Sequence, residues 1–123
     1  MRIYVAAPWV HRDQARSLAA LLKHHGHTIT HEWWDIEGEF DDASKMQACA
    51  IADLEGVYNA DQVVLLDSAK SEGKAVEQGI AIACGIPILA IGTLGQHSQN
   101  VFHHLPDYQW VDSISAALEV LKG

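Results

Sequence analysis

The chain has 123 residues and 49% of them are hydrophobic, which suits a single globular domain spanning residues 1–123 with one buried core. Its 16 acidic residues outnumber the 8 lysines and arginines and give a formal net charge of −8. Such a chain offers no basic surface to a phosphate backbone, so we expect no nucleic acid as partner, and a small molecule fits better.

The apolar runs and the cysteines indicate in which cellular compartment the protein resides. No apolar run approaches the length that spans a membrane, and the sequence begins with a strand-like segment instead of a basic leader followed by an apolar core. Cys49 and Cys84 fall in helical patterns among small apolar residues, where such a pair is more often buried thiols than a disulfide. We therefore expect a cytoplasmic protein with no membrane partner.

Apolar runs alternate with amphipathic segments along the chain. Residues 2–6 predict a buried strand, and a helix that begins near residue 14 stops at Gly26. A strand at 28–30 leads into a mobile polar loop that reaches residue 44, followed by a helix at 45–58 and a strand at 62–66. The rest of the chain predicts a helix at 73–84, a strand at 87–91, a polar loop at 92–107, a strand at 109–111 and a helix at 113–121 capped by Ser113. This alternation predicts an α/β, doubly wound (Rossmann or flavodoxin-like) five-stranded parallel sheet with helices on both faces.

The helix after the third strand carries the candidate catalytic residue, Glu77. In open parallel sheets ligands bind beyond the carboxyl ends of the strands, and Glu77 is predicted to lie there, in the first turn of its helix. The helix dipole would favour the ionised carboxylate, which makes Glu77 a candidate nucleophile or base. Its predicted position distinguishes Glu77 from other glutamates, because a glutamate on a surface helix is usually only solvated.

Two tryptophans and an aspartate allow both a functional and a structural interpretation. Trp33 and Trp34 follow the second strand, where they either pack under their own loop or stack on a flat base. Asp53 lies inside the second predicted helix, a position that aspartate disfavours. A solvated side chain is the structural explanation for Asp53, and a role in the site is the functional one.

The histidines raise the question of a metal site. His24, His25 and His27 flank a helix end, where histidine is favourable at the negative pole of the dipole, and His31 follows soon after. The group lacks thiolate or carboxylate partners at ligand spacing, so we expect no metal. No glycine-rich dinucleotide fingerprint or phosphate loop follows the first strand, and we expect no cofactor.

Three motifs, in order along the chain, resemble those of the nucleoside 2-deoxyribosyltransferase superfamily, which includes the 2'-deoxynucleoside 5'-monophosphate N-glycosidases. Residues 3–9 (IYVAAPW) are similar to its first strand and loop, and residues 52–55 (ADLE) to its helix aspartate. Residues 73–79 (GKAVEQG), which begin at Gly73, are similar to its Gly-x-x-x-Glu-x-Gly nucleophile motif. The spacing from Asp53 to Glu77 is similar to that in the monophosphate hydrolases.

The resemblance implies a role for each matched residue. Glu77 would attack or stabilise C1' of the sugar, where oxocarbenium character develops as the N-glycosidic bond breaks. Asp53 would protonate the leaving base if burial near Glu77 raises its pKa, and Tyr4 would orient the Glu77 carboxylate through its hydroxyl group. Trp9, together with Trp33 or Trp34, would stack on the base.

The resemblance leaves the branch of the superfamily open. Ser71, six positions before Glu77, is typical of the hydrolases, whereas the transferases tend to carry an aspartate there. Residues 6–11 lack the Gly/Ser-rich phosphate cradle of the hydrolases, although Arg12 or Lys74 is a candidate charge partner for a phosphate.

The resemblance also implies assembly. A neighbouring subunit completes the site in this family, and Ser98 or Asn100 is the nearest match to the contributed residue. We therefore expect a homodimer or a higher even oligomer.

The sequence thus predicts an enzyme that cleaves the N-glycosidic bond of a nucleoside or nucleotide through a covalent glycosyl-glutamate and passes the sugar to water or to another base. Two alternatives stay open. One is an NAD glycohydrolase, because Toll/interleukin-receptor-like domains break the same type of bond with a catalytic glutamate on a similar frame. The other is a catalytically inactive nucleotide sensor, because a fold of this kind hosts many functions.

Overall fold

Five short strands form the sheet in the computed structural model, which describes residues 1–36 and 42–122. They are β1 (Arg2–Ala6), β2 (Thr28–Ile29), β3 (Gln62–Leu66), β4 (Ile88–Ile91) and β5 (Tyr108–Val111). Their order in the sheet is β2-β1-β3-β4-β5, and all neighbours are parallel. This topology confirms the predicted doubly wound α/β fold.

Four helices connect or follow the strands: α1 (Arg12–His24), α2 (Ala43–Tyr58), α3 (Glu72–Ala83) and α4 (Ile114–Leu121). Single 3-10 turns occur at Trp9–His11, Trp33–Asp35 and Val101–His104, the last within the predicted loop at 92–107. Part of the loop predicted to be mobile, residues 37–41, lies outside the described residues. In the described part of the chain, no helix has the length and apolar composition needed to cross a lipid bilayer.

Short polar side chains determine where the helices begin. α2 starts earlier than predicted because the Asp42 carboxylate accepts a hydrogen bond from the Ser44 amide at 2.8 Å. The Ser71 hydroxyl accepts one from the Lys74 amide at 3.2 Å, and the predicted Ser113 cap is confirmed by a bond from the Ala116 amide at 3.0 Å. α1 ends where Gly26 adopts a φ of +92°, a conformation that favours glycine.

The central strands β1 and β3 carry fully buried side chains along most of their length. Right-handed crossovers place α1 on one face of the sheet and α2 and α3 on the other, where these two helices pack against each other. Tyr4 of β1 points toward α2 and α3, since its ring lies against Gly56 and its hydroxyl reaches Glu77. The candidate site therefore lies between the sheet and this pair of helices.

Candidate active site

A tyrosine of a central strand is bonded to the candidate nucleophile. Tyr4 of β1 is fully buried, and its hydroxyl group donates a hydrogen bond to Oε2 of Glu77 on α3. The two residues are 73 positions apart, so only the fold brings them together. This contact is the one that the sequence analysis expected between Tyr4 and Glu77.

The surroundings of Glu77 differ from those predicted. Because Ser71 caps α3 and Glu72 is its first residue, Glu77 lies in the second turn and not in the first. The dipole acts mainly within the first turn, so it does not keep this carboxylate ionised. Burial instead raises the pKa of Glu77 to about 8; the hydrogen bond from Tyr4 opposes that rise, and the negative charge of Asp53 adds to it. Near neutral pH the protonated form of Glu77 is therefore favoured in the free protein.

Asp53 of α2 lies close enough to Glu77 and Tyr4 to raise the pKa of both residues. Burial raises the pKa of Asp53 itself, in the direction that a general acid requires, whereas the neighbouring His31 lowers it. Nε2 of His31 lies 3.3 Å from Oδ1 of Asp53. Both atoms are buried, and neither makes a hydrogen bond of normal geometry to any described residue.

A glycine lets α2 approach Tyr4. A Cβ atom at Gly56 would lie 2.9 Å from Cδ2 and Cε2 of Tyr4 and 2.9 Å from Cβ of His31. The Gly56 carbonyl oxygen also accepts a hydrogen bond from Oγ1 of Thr30 at 2.7 Å. The sequence analysis missed both His31 and Gly56 as parts of this site. A glycine inside a predicted helix was the available signal for Gly56, because such a residue often marks close packing.

The cleft beside Asp53 has a volume of about 470 Å³, and its lining is mostly apolar. It is lined by Trp9 and by a face of α2 that carries Met46, Cys49, Ala50 and Asp53. These α2 residues recur at helical spacing, so they lie on the same side of the helix as the candidate acid. The cleft has room for a flat heterocyclic base next to Asp53.

Trp9 is held in place from several sides while part of its ring stays exposed. Its side chain is 37% exposed, the Arg12 guanidinium lies 4.8 Å from the ring centroid, and the ring of Trp33 lies 6.1 Å away. The loop that carries Trp9 is tied to the loop after β3, because Nδ1 of His11 lies 2.5 Å from Oγ of Ser68. A positioned ring of this kind can stack on a ligand.

Trp33 and Trp34 do not offer such a surface. They are only 7% and 3% exposed, and Nε1 of Trp33 donates a hydrogen bond to the Val5 carbonyl oxygen at 2.7 Å. The structure therefore favours the packing interpretation of both residues over the prediction that they stack on a base. The Trp33 ring instead lies beside the Trp9 ring inside the protein.

Comparison with known proteins decides the family. A family model described as nucleoside 2-deoxyribosyltransferase matches residues 3–109. The chain belongs to the nucleoside 2-deoxyribosyltransferase family. No curated protein is a significant sequence match to it.

Two solved structures similar to this family member support the same fold. The 2-deoxyribosyltransferase of the psychrotolerant bacterium Bacillus psychrosaccharolyticus superposes with a TM-score of 0.74 at 22% identity, over 95% of this chain and 90% of that one. The CMP N-glycosidase BcmB of Clostridium botulinum gives a TM-score of 0.65 at 16% identity, over 98% of each chain.

The other residues that the family resemblance implied lie around a second cavity. Ser71, Ser98 and Asn100 line a cavity of about 230 Å³ together with the exposed Lys70 and other side chains. Neither Tyr4 nor the two carboxyl groups Asp53 and Glu77 contribute to this lining. The predicted site residues therefore form two groups in this deoxyribosyltransferase fold. One contains Tyr4, Asp53 and Glu77, and the other contains Ser71, Ser98 and Asn100.

Two neighbours of Ser71, Lys74 and Gly73, differ in how closely the protein surrounds them. Lys74 is only 5% exposed, and its ammonium group contacts the Asp67 carboxylate at 2.8 Å and the Ala69 carbonyl oxygen at 2.6 Å. It is thus occupied by the protein and is a poor charge partner for a phosphate. A Cβ at Gly73 would meet nothing closer than the Ser71 hydroxyl at 3.9 Å, so packing within this chain does not require glycine there.

The histidines and cysteines occupy separate environments. Nδ1 of His27 lies 3.3 Å from the N-terminal amine, whereas His31 faces Asp53. Within residues 1–36 and 42–122, no three histidine, cysteine or acidic side chains are arranged to hold a metal ion. Cys49 and Cys84 are free thiols, but Cys49 is half-buried and Cys84 is exposed, so the expectation that both are buried is wrong.

Proposed function

We propose that this member of the nucleoside 2-deoxyribosyltransferase family cleaves the N-glycosidic bond of a nucleoside or nucleoside 5'-monophosphate through a covalent glycosyl-Glu77 intermediate. The observation that carries the proposal is the grouping of Tyr4, Asp53 and Glu77, of which Asp53 lines a cleft of base size. Burial raises the pKa of both carboxyl groups, and a neighbouring pair of this kind is suited to one acting as acid while the other attacks carbon.

In the first half-reaction, Glu77 attacks C1' of the sugar. Tyr4 holds Oε2, which leaves Oε1 to form the new bond to carbon. The C1'–N bond breaks, its electron pair stays with the base, and a proton from Asp53 neutralises the nitrogen. The productive protonation state therefore has Glu77 ionised and Asp53 protonated.

In the second half-reaction, water or another base attacks C1'. Asp53, now a carboxylate, removes the proton from the attacking group while the bond between C1' and Oε1 breaks. Glu77 is released as a carboxylate and Asp53 is again protonated. The chemistry at the protein is the same for both acceptors, so the choice between hydrolysis and transfer depends on which acceptor enters the cleft.

The base is proposed to lie in the cleft between Trp9 and α2. The exposed part of the Trp9 ring supplies a stacking surface, and Met46, Cys49 and Ala50 supply apolar contacts opposite. Asp53, on the same face of α2 as these residues, reaches the nitrogen of the base that must be protonated. Arg12, stacked on Trp9, adds a positive charge at the rim of the cleft.

The 5' end of the substrate is proposed to extend toward the cavity at the start of α3. Ser71 and Lys70 line this cavity, so a hydroxyl or a phosphate group could be bound there. The Ser71 hydroxyl already caps α3, and its remaining hydrogen is available to donate to such a group.

Assembly is proposed to complete the site. Ser98 or Asn100 is the nearest match in this chain to the residue that a neighbouring subunit contributes to the site in this family. Exposed apolar side chains on α2 and α3 supply surface for the contact: Met46, Ile51, Leu54, Tyr58 and Val76. We expect an even oligomer in light scattering at micromolar concentration, and a fully active monomer would contradict this.

Neither alternative gains support from the site. The family model and the paired carboxyl groups point to nucleoside chemistry, and no feature of the described residues favours NAD or an inactive sensor. Incubation with deoxynucleosides, ribonucleosides, nucleoside monophosphates and NAD, with and without a free acceptor base, separates these functions by which base is released.

A covalent trap tests the mechanism. A 2'-fluoro-2'-deoxyarabinosyl nucleoside destabilises the oxocarbenium-like transition state, so a sugar adduct should accumulate on the peptide that contains Glu77. Glu77→Ala should abolish both base release and the adduct, whereas Glu119→Ala, at an exposed position of α4, should leave both unchanged. Absence of the adduct together with retained activity in Glu77→Ala would overturn the assignment of the nucleophile.

A further inference from the structure

His31 is held against α2 by contacts that have no part in the proposed chemistry. The chain leaves β2 at Thr30, whose amide donates a hydrogen bond to the Ile3 carbonyl oxygen at 2.9 Å. Oγ1 of Thr30 donates to the Gly56 carbonyl oxygen at 2.7 Å, which ties this segment to α2. Since Gly56 has no side chain, Cβ of His31 can pack against the helix one turn beyond Asp53.

The contact between His31 and Asp53 is incomplete in the free protein. Nε2 of His31 and Oδ1 of Asp53 are 3.3 Å apart and both are buried, yet neither has a hydrogen bond of normal geometry to a described residue. A buried polar atom without a partner is unfavourable and is often retained at functional sites. A small movement of either side chain would complete the bond.

We propose that His31 is a positioning residue for Asp53, and that an N–H at its Nε2 stabilises the Asp53 carboxylate formed when the proton passes to the leaving base. This inference rests on the proposed function, because it assigns His31 to the same proton transfer. The carboxylate persists until Asp53 recovers a proton from the acceptor, so His31 acts in both half-reactions.

Of the groups around Asp53, His31 is the one suited to stabilise its carboxylate. Tyr4 of β1, Glu77 of α3 and His31 after β2 all interact electrostatically with Asp53. The Tyr4 hydroxyl is already bonded to Glu77, and Glu77 carries a negative charge when it is ionised. Among these three groups, only His31 can offer Asp53 an N–H donor.

Kinetics can separate this role from a structural one. His31→Leu should lower kcat/KM by about tenfold to a hundredfold, less than the loss of about a hundredfold to ten-thousandfold expected for removing the acid itself in Asp53→Asn. His31→Gln, which retains an N–H donor, should recover part of the loss. In the Asp53→Asn background His31→Leu should cause no further loss, because both changes remove the same interaction.

A substrate whose base leaves without a proton sharpens the test. A 7-methylated purine nucleoside already carries the positive charge, so His31→Leu should leave its kcat/KM unchanged. His24→Leu, at an exposed position of α1, serves as the matched control on both substrates. Equal losses on both substrates, or additive losses with Asp53→Asn, would overturn the proposal.

A measurement independent of activity distinguishes failure of this inference from failure of the proposed function. Carbon-13 NMR of the Asp53 carboxyl group should give a higher pKa in His31→Leu than in the wild type, with His31→Gln between them. If leucine prevents folding, the comparison of His31→Gln with the wild type carries the test. An unchanged pKa overturns the inference even if nucleosides are cleaved. If His31→Leu raises the Asp53 pKa but the protein cleaves no nucleoside, the interaction between His31 and Asp53 is supported and the proposed function is rejected.

Discussion

The Tyr4 hydroxyl donates its hydrogen bond to a Glu77 carboxyl group whose pKa is raised by burial and by the charge of Asp53. Of the influences on Glu77, this bond is the one that favours the charged form. A nucleophile needs that form, so the activity of Glu77 depends on a residue of a different strand.

Removal of the hydroxyl should weaken the nucleophile. In Tyr4→Phe the pKa of Glu77 should rise above 8, because the interaction that lowers it is lost. A hydrogen bond to a charged group contributes about 1.5–3 kcal/mol, so kcat/KM at pH 7 should fall by about tenfold to a hundredfold. Carbon-13 NMR of Glu77 checks the pKa directly. A variant with an unchanged Glu77 pKa and unchanged kcat/KM would show that the bond has no role.

The raised pKa of Glu77 should also appear in stability, without any substrate. Its folded value of about 8 exceeds the ordinary value of 4.5, so the folded state binds this proton more tightly. Stability should therefore fall as pH rises from about 4.5 to about 8. Glu77→Gln removes the titration and should be more stable than the wild type at pH 8.5 by up to about 5 kcal/mol, with little difference at pH 4.5. Thermal unfolding at both pH values measures this, with Glu119→Gln on α4 as control. Equal pH dependence in the variant and the wild type would contradict the raised pKa.

A methyl group at Gly56 should disturb Tyr4 directly. In Gly56→Ala the new Cβ would be 2.9 Å from the Tyr4 ring, and overpacking of this kind destabilises by about 1–3 kcal/mol, partly offset by the better helix propensity of alanine. Activity should fall as the Tyr4 hydroxyl leaves Glu77. Gly79→Ala on α3 is the stability control, since its Cβ would meet nothing within 4 Å and should stabilise the helix by up to about 1 kcal/mol. Equal Tm changes in the two variants would show that the close approach at Gly56 is unimportant.

Charge at position 71 should select against a phosphorylated substrate. Aspartate is as good a helix cap as serine, so Ser71→Asp should preserve the start of α3 while it repels a 5'-phosphate. The ratio of kcat/KM for a nucleoside monophosphate to that for its nucleoside should fall by about tenfold, which corresponds to roughly 1.4 kcal/mol. Ser71→Asn keeps the cap without the charge and should change this ratio much less. If the aspartate and asparagine variants give the same ratio, Ser71 is not at the 5' end.

Local sequence patterns were sufficient to predict the architecture and to single out the main candidate residues. Apolar runs of strand length gave β1 and β3 at their observed bounds, and the alternation with amphipathic segments gave the parallel sheet. These features are local, because strand and helix periodicity depend on neighbouring residues. The motifs around Tyr4, Asp53 and Glu77 were recognisable for the same reason: each is a short contiguous segment.

The protonation state of those residues and the identity of their contacts depend instead on how the chain packs. The proton affinity of Glu77 follows from its burial and from contacts with Tyr4 and Asp53, which lie on other elements. The burial of Trp33 and the approach of His31 to Asp53 likewise depend on how elements distant in sequence pack together. Desolvation and close contact are properties of the space around a side chain, and a linear pattern of residue types does not specify that space.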